Sequence, residues 1–320
     1  PDEDGYYLTV AWSTTKGGAN SLKQGFGLNS IQTVKDGMQR LGQLEMSFNW
    51  VLADSSGNIG FQMSGLLPKR KESESGFTPL KGWESESDWK GFYDYSELPS
   101  QHNPKCGYVV TANEDLSEFG QVNPHTITMG TYRSDRIKEL LNQEKKFTKS
   151  DMGAMHMDVY SKQAELFAPY IEPHLNDSEN AKTLLDWDFN YSIDQKAPSI
   201  FENIYRELIT EVFGGIMGGE VIDHLLKETG YIADFYDNFD RILLKDSSLW
   251  FGSKSRDEIF ENAVKKGLQP EAKAWGQINF IDMNNILVGG KFPKFMGFDK
   301  RNIPLPGNRA TIHQGQVYES

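Results

Sequence analysis

Only one cysteine, Cys106, stands among the 320 residues, so no disulfide can close within the chain. No apolar run reaches the roughly 18 residues that a membrane-crossing helix needs, and membrane insertion is not expected. Positive charge is also short: 33 Lys and Arg face 45 Asp and Glu, for a net charge of -12. That balance excludes general nucleic-acid binding, which needs a basic face, and adhesion to an anionic bilayer. The six histidines contain no HxxxH pair and there is no second cysteine, so a zinc site has no sequence support. The glycine clusters Gly25-Phe26-Gly27 and Gly214-Gly215-Ile216-Met217-Gly218-Gly219 do not run into a Lys-Ser or Lys-Thr pair, so they do not read as phosphate loops. A GxSxG nucleophile elbow is absent as well.

Hydrophobic residues make up 38% and charged residues 24%, in a chain long enough for a sizeable core. The segment YYLTVAW, residues 6–12, reads as a strand. Residues 20–31 and 33–45 carry helical spacing, with Val34, Met38, Leu41 and Leu44 on one stripe. Phe48 to Leu52 and Ile59 to Leu67 read as strands around a Ser-Ser-Gly-Asn turn, which predicts a hairpin. Residues 68–105 form a long aromatic-rich loop, and Gly107 to Ala112 a short apolar strand. The second half predicts helices: one capped by Ser134, one running from a Thr148/Asp151 capping box to about Tyr170, then 178–187, 198–214, 217–228, 232–244 and 255–267. Residues 275–312 return to loops and short strands. The pattern predicts an α+β fold or a portion of one, organised as a single partial domain. Within it, residues 1–132 are sheet-rich, residues 133–270 are helical, and residues 271–320 return to loops and strands.

Residue chemistry alone declares no active site. Cys106 reads as a small, half-buried residue without an adjacent His or a cationic cluster to activate it. Asp234, Asp237 and Asp240 read as a solvated helix face, lacking the glycine and terminal Glu of a calcium loop. Pro1 could in principle act as an amine base, but PDEDG reads as a frayed end. Two positions stand out mildly. Asn113 follows the predicted strand and opens a loop. Arg136 falls in the first turn of a predicted helix, where a cation opposes the helix dipole.

Read in order, the motifs carry more. ADSSGNIGFQMSGLLPKR at 53–70 is followed by Gly82-Trp83, WKGF at 89–92, Glu97-Leu98-Pro99, Asn103-Pro104 and GYVVTAN at 107–113. DRIKELL, MHMDVYSKQAELFAPYI, LLDWD at 184–188, DSSLWF at 246–251, AWGQINF and PLPGNRATIHQG follow. This series resembles the penicillin acylase (penicillin amidase) family of N-terminal-nucleophile hydrolases, over nearly the whole chain.

The resemblance implies the four-layer αββα fold and an enzyme that cuts its own precursor to expose a nucleophile, mostly Ser, whose free α-amine is the base. An α-amine has an unperturbed pKa of about 8, within reach of neutral pH. Asn113 matches the family's oxyanion-hole asparagine and Arg136 its positioning arginine. The implied substrates are acyl amides, either β-lactams or acyl-homoserine lactones, and the implied location is periplasmic or extracellular. YYLTVAW and the hairpin correspond to the interior of the large subunit. The nucleophile, most of the acyl pocket and the small subunit are therefore expected outside this chain, and the isolated chain is expected to be inactive. No cofactor is implied. The family often holds a structural calcium with an aspartate between the asparagine and the arginine; here that position falls near Asn123 to His125, where no carboxylate stands. The alternative is a non-catalytic binding module on a degenerate acylase scaffold, with the aromatic loop Trp83 to Tyr95 as its contact surface.

Overall fold

The structure, a computed structural model, describes residues 5, 7–71, 76, 78–124, 128–143, 146–227 and 229–315, with the backbone alone at 227, 229–234 and 294. Two compact units divide the chain, Pro1–Ile127 and Thr128–Ser320.

In the first unit, helices α1 (Ala19–Phe26) and α2 (Val34–Gly42) precede strands β1 (Phe48–Ala53), β2 (Ile59–Ser64) and β3 (Ser100–His102). Helix α2 starts where Thr33 can cap it: its hydroxyl accepts the Asp36 N–H at 3.1 Å. The hairpin forms in antiparallel register from Phe48↔Ser64 to Ala53↔Ile59, and β3 adds to β2 with Gly60 opposite His102. Alternation gives β2 two covered faces. Phe61 is fully buried and meets the edge of Phe119 at 5.8 Å. Gly60 faces the Val34 and Met38 side chains of α2, where a Cβ would also stand 2.7 Å from the Gln101 carbonyl. Asp54 organises the turn. Its carboxylate accepts the Ser56 N–H at 2.9 Å, the Asn58 N–H at 3.0 Å and the Val34 N–H at 3.2 Å. Asn58 adds its own amide at 2.9 Å.

Two predicted strands of this unit do not form. Residues 7–12 form no ladder, with Tyr7, Leu8, Val10 and Trp12 exposed; Tyr6 lies outside the described residues. Residues 107–112 are likewise irregular and end on buried Ala112. Strand-like composition is present in both, but a strand also needs a neighbour for its N–H and C=O groups. Cys106 is exposed rather than half-buried.

In the second unit, helix α3 (Tyr132–Leu141) begins two residues before Ser134. Ser134 sits inside it, fully buried, with its hydroxyl donating to the Thr131 carbonyl at 2.9 Å. Arg136 is therefore past the first turn, and the expected conflict with the helix dipole does not arise. The Thr148/Asp151 capping box does start α4 (Lys149–His156), but the helix stops there. Ser161, fully buried, caps a separate α5 (Lys162–Ile171) by accepting the Ala164 N–H at 3.1 Å. A second cap inside a helical run ends one helix and opens another. The series continues through α6 (Glu179–Leu185), α7 (Ala197–Met217), α8 (Gly219–Lys227), α9 (Thr229–Leu243), α10 (Arg256–Gly267) and α11 (Trp275–Ile278). Gly218, at φ 90°, separates α7 from α8, where the sequence predicts one helix to end and the next to begin. A hairpin of β4 (Phe280–Met283) and β5 (Lys300–Pro304) closes the described chain.

Helix α7 is the axis of the core, packed by α6, α8 and α10. Its buried Phe201 and Tyr205 meet Phe167 of α5 edge-on, at 6.2 and 5.8 Å. Gly267 lets α10 approach α7 closely, since a Cβ there would lie 2.6 Å from the Ile204 Cα. The aspartates of α9 are not a solvated face. Asp240 is 1% exposed and Asp237 is 9% exposed, while the side chain of Asp234 lies outside the description. Position 240 follows Tyr236 by four and precedes Leu243 by three, which puts it on the buried stripe.

Candidate functional site

The run into Asn113 is half-buried from Tyr108 to Thr111 and closes on buried Ala112. Asn113 itself is exposed and takes φ 70°, the left-handed region that a short polar side chain tolerates. Its neighbours hold that bend. Buried Glu114 turns its carboxylate back to accept the Ala112 N–H at 2.5 Å. Asp115 accepts the N–H of Ser117 at 2.9 Å and also its hydroxyl, closing the next turn. The side-chain amide is thus carried on a backbone fixed from both sides. Asn123, in the interval where a calcium ligand would fall, accepts the Ser117 hydroxyl at 2.8 Å, and His125 lies outside the described residues. Among the described residues no three His, Cys, Asp or Glu side chains are grouped to hold a metal.

Arg136 belongs to the second unit. The break between α4 and α5 brings Asp158 to it: Nε donates to Oδ1 at 3.2 Å and a terminal nitrogen donates to Oδ2 at 2.9 Å. Glu139, one turn along α3, accepts from the other terminal nitrogen at 2.9 Å. The guanidinium plane lies over the Tyr160 ring, 4.5 Å from its centre. Burial works against the charge on Arg136, but the hydrogen bonds and charge of Asp158, with Glu139, hold it and raise its proton affinity above the ordinary value. Lys162 links Glu139 to Glu165 at 3.5 and 2.6 Å. Sequence reasoning missed Asp158 and Tyr160 because it ran one helix through them. Ser161, a cap residue directly after them, was the available signal.

A second polar cluster lies inside the helical core. Asp240 accepts from Tyr205 and Gln163 at 2.7 Å each, and from Tyr132 at 3.0 Å. Burial pushes its carboxyl up to about 7, partly opposed by the Tyr205 hydroxyl and by Arg309. Arg309 pairs with Glu202 at 2.9 Å and stacks on Tyr205 at 4.6 Å. Glu202 also accepts from Tyr191 at 2.8 Å and Asn308 at 3.1 Å.

The aromatic loop is engaged largely with its own unit. Trp89 meets Phe92 edge-on at 5.9 Å beneath the Arg70 guanidinium, and Lys69 stands over Tyr93 at 5.0 Å. Trp83 is exposed. No helix among the described residues is long and apolar enough to cross a membrane.

Comparison with known proteins agrees with this reading of the motifs. The chain is 28% identical over 196 residues to the penicillin acylase 2 proenzyme of Pseudomonas sp. (strain SE83), covering 58% of this chain and 24% of that protein. It is 26% identical over 193 residues to the acyl-homoserine lactone acylase QuiP of Pseudomonas syringae pv. tomato, covering 55% and 23%. The chain thus spans about a quarter of the length of these curated relatives. Among solved structures, the thermostable penicillin G acylase of Alcaligenes faecalis superposes with a TM-score of 0.60 at 18% identity, over 78% of this chain and 50% of that one. That likeness shows the fold, the α+β arrangement of the N-terminal-nucleophile hydrolases. With the family model described as Penicillin amidase matching residues 2–320, the chain belongs to the penicillin amidase family.

Proposed function

We propose that the whole protein hydrolyses an acyl side-chain amide through an N-terminal serine that none of these 320 residues supplies. In this reading the serine hydroxyl adds to the amide carbonyl carbon while the α-amine of the same residue takes its proton. The carbonyl oxygen becomes an oxyanion and accepts the Asn113 side-chain N–H. The C–N bond then breaks, the amine leaves with the proton, and water releases the acyl group by the same route. Arg136 is the positioning residue. The substrate is a β-lactam side chain or an acyl-homoserine lactone, the two amide classes named by the relatives. A second subunit completes the acyl pocket, the enzyme works outside the cytoplasm, no cofactor takes part, and the 320-residue chain alone is inactive.

The observation that carries the proposal is the fixed left-handed bend at Asn113, between an alanine and a glutamate that are both buried. An oxyanion donor must be pre-positioned, because reorganisation during the reaction would cost what the hydrogen bond contributes. Asn113→Ala in the whole protein is expected to lower kcat by about 100- to 1,000-fold, about 3–4 kcal/mol, with a small change in KM. A chromogenic acyl-anilide assay measures it. An unchanged kcat would take Asn113 out of the site.

A further inference from the structure

Arg136 has five N–H donors in one plane. Asp158 takes the Nε edge with both carboxylate oxygens, and Glu139 takes one further donor. Two donors, one on each terminal nitrogen, are left without a protein partner among the described residues. A bidentate pair fixes the direction of the whole plane, which a single contact cannot do. The Tyr160 ring then closes one face of that plane at 4.5 Å.

Asp158 is itself immobilised. Its Oδ1 accepts the Tyr160 N–H at 3.2 Å, and its carbonyl accepts the His313 N–H at 2.9 Å. On either side of Tyr160, the Val159 carbonyl accepts the Tyr191 N–H at 3.0 Å and the Ser161 N–H donates to the Phe189 carbonyl at 2.9 Å. Phe189 braces the Tyr160 ring edge-on at 6.1 Å. The segment between α4 and α5 is therefore tied by backbone bonds to residues 189–191 and 313, and Asp158 projects from it with only 16% of its side chain exposed. A surface ion pair has no need of such support, and by itself contributes little.

We propose that Asp158 is a positioning residue for the amide hydrolysis: it acts through Arg136 by fixing the guanidinium plane, with Tyr160 as the backing surface, so that the two remaining donors hold one direction. This rests on the role assigned to Arg136 above. The residue does not touch substrate in this account, and its effect falls on geometry in the transition state rather than on binding. Misplacement of a positioning group by about 1 Å can cost on the order of 100-fold in rate.

The test is a double-mutant cycle on the whole protein with a chromogenic acyl-anilide. Asp158→Asn keeps the shape and loses the charged fork; Arg136→Lys keeps the charge and loses the bidentate geometry. Each is expected to lower kcat by about 100-fold with KM within about threefold, and the double variant to be no slower than Arg136→Lys alone. Asp158→Glu is expected to recover some of the loss. A kcat for Asp158→Asn equal to the parent's, with Arg136→Lys impaired, overturns the role of Asp158 and leaves that of Arg136. So do fully additive losses, which would mean that Asp158 acts independently. An unimpaired Arg136→Lys overturns the reading of Arg136 and this inference with it. If Asp158→Asn does not fold, Tyr160 decides: Tyr160→Leu removes the backing ring and is expected to lower kcat. A normal kcat in the folded Leu variant overturns the clamp.

Discussion

Replacing Asp240 with Asn should remove a pH dependence of stability. The carboxyl is buried beneath Tyr132, Gln163 and Tyr205, on three different helices, with Arg309 nearby. Burial raises it from the ordinary 3.8 to about 7. In the unfolded chain it gives up its proton near the ordinary value; in the folded chain it keeps it until near neutrality. Between those limits the folded state binds more protons, so stability falls as pH rises. A rise of about three units, at about 1.4 kcal/mol each, corresponds to about 4 kcal/mol present at pH 4 and lost by about pH 7. An Asn cannot ionise; with its Nδ2 in the place of the carboxylate oxygen that meets Tyr205 it can donate to that hydroxyl oxygen, while its Oδ1 accepts from Tyr132 and Gln163. Urea unfolding of the chain, followed by emission from buried Trp187 and Trp275, measures the gap between parent and variant. The variant should gain on the parent steadily from pH 4 to 7.5. A constant gap over that range, or a gain in the opposite sense, would refute the claim that burial outweighs the three donors.

Two further expectations concern the same core. Gly267→Ala places a methyl 2.6 Å from the Ile204 Cα and should destabilise the chain by about 1–3 kcal/mol, read from the shift in urea midpoint. Glu202→Gln leaves Arg309, of which 7% of the side chain is exposed, without its counter-charge and should cost about 3–5 kcal/mol; calorimetry showing an unchanged Tm would mean that Tyr205 and Tyr236 compensate it.

Local patterns were legible where the element satisfies itself. The hairpin, the Thr148/Asp151 capping box and the helices of the second half needed only strand-like runs, caps and helical spacing. What failed depended on partners far along the chain. YYLTVAW has strand composition, yet residues 7–12 form no strand, because pairing is not a property of one segment. The run 149–170 reads as one helix unless Ser161 is weighed as a cap, and that single misreading hid Asp158 and Tyr160. Asp240 looked solvated because charge was read before its place on the stripe. Asn113 and Arg136 were visible only as mild oddities; their order among family motifs, not their chemistry, brought them forward.

The reach of Asp54 across the hairpin has a kinetic consequence. One carboxylate binds the turn at 56–58 and the first N–H of α2 at Val34, so a single side chain closes a loop of about 20 residues. Short loops cost little entropy to close, and contacts near in sequence are the first that a chain can make with a net gain. The helix and hairpin over residues 33–64 are therefore suited to order early, before β3 arrives from beyond the long loop to complete the sheet. Asn103, which donates to Asn58 and accepts the Ile59 N–H, then reads as the latch that β3 brings with it onto a template already set.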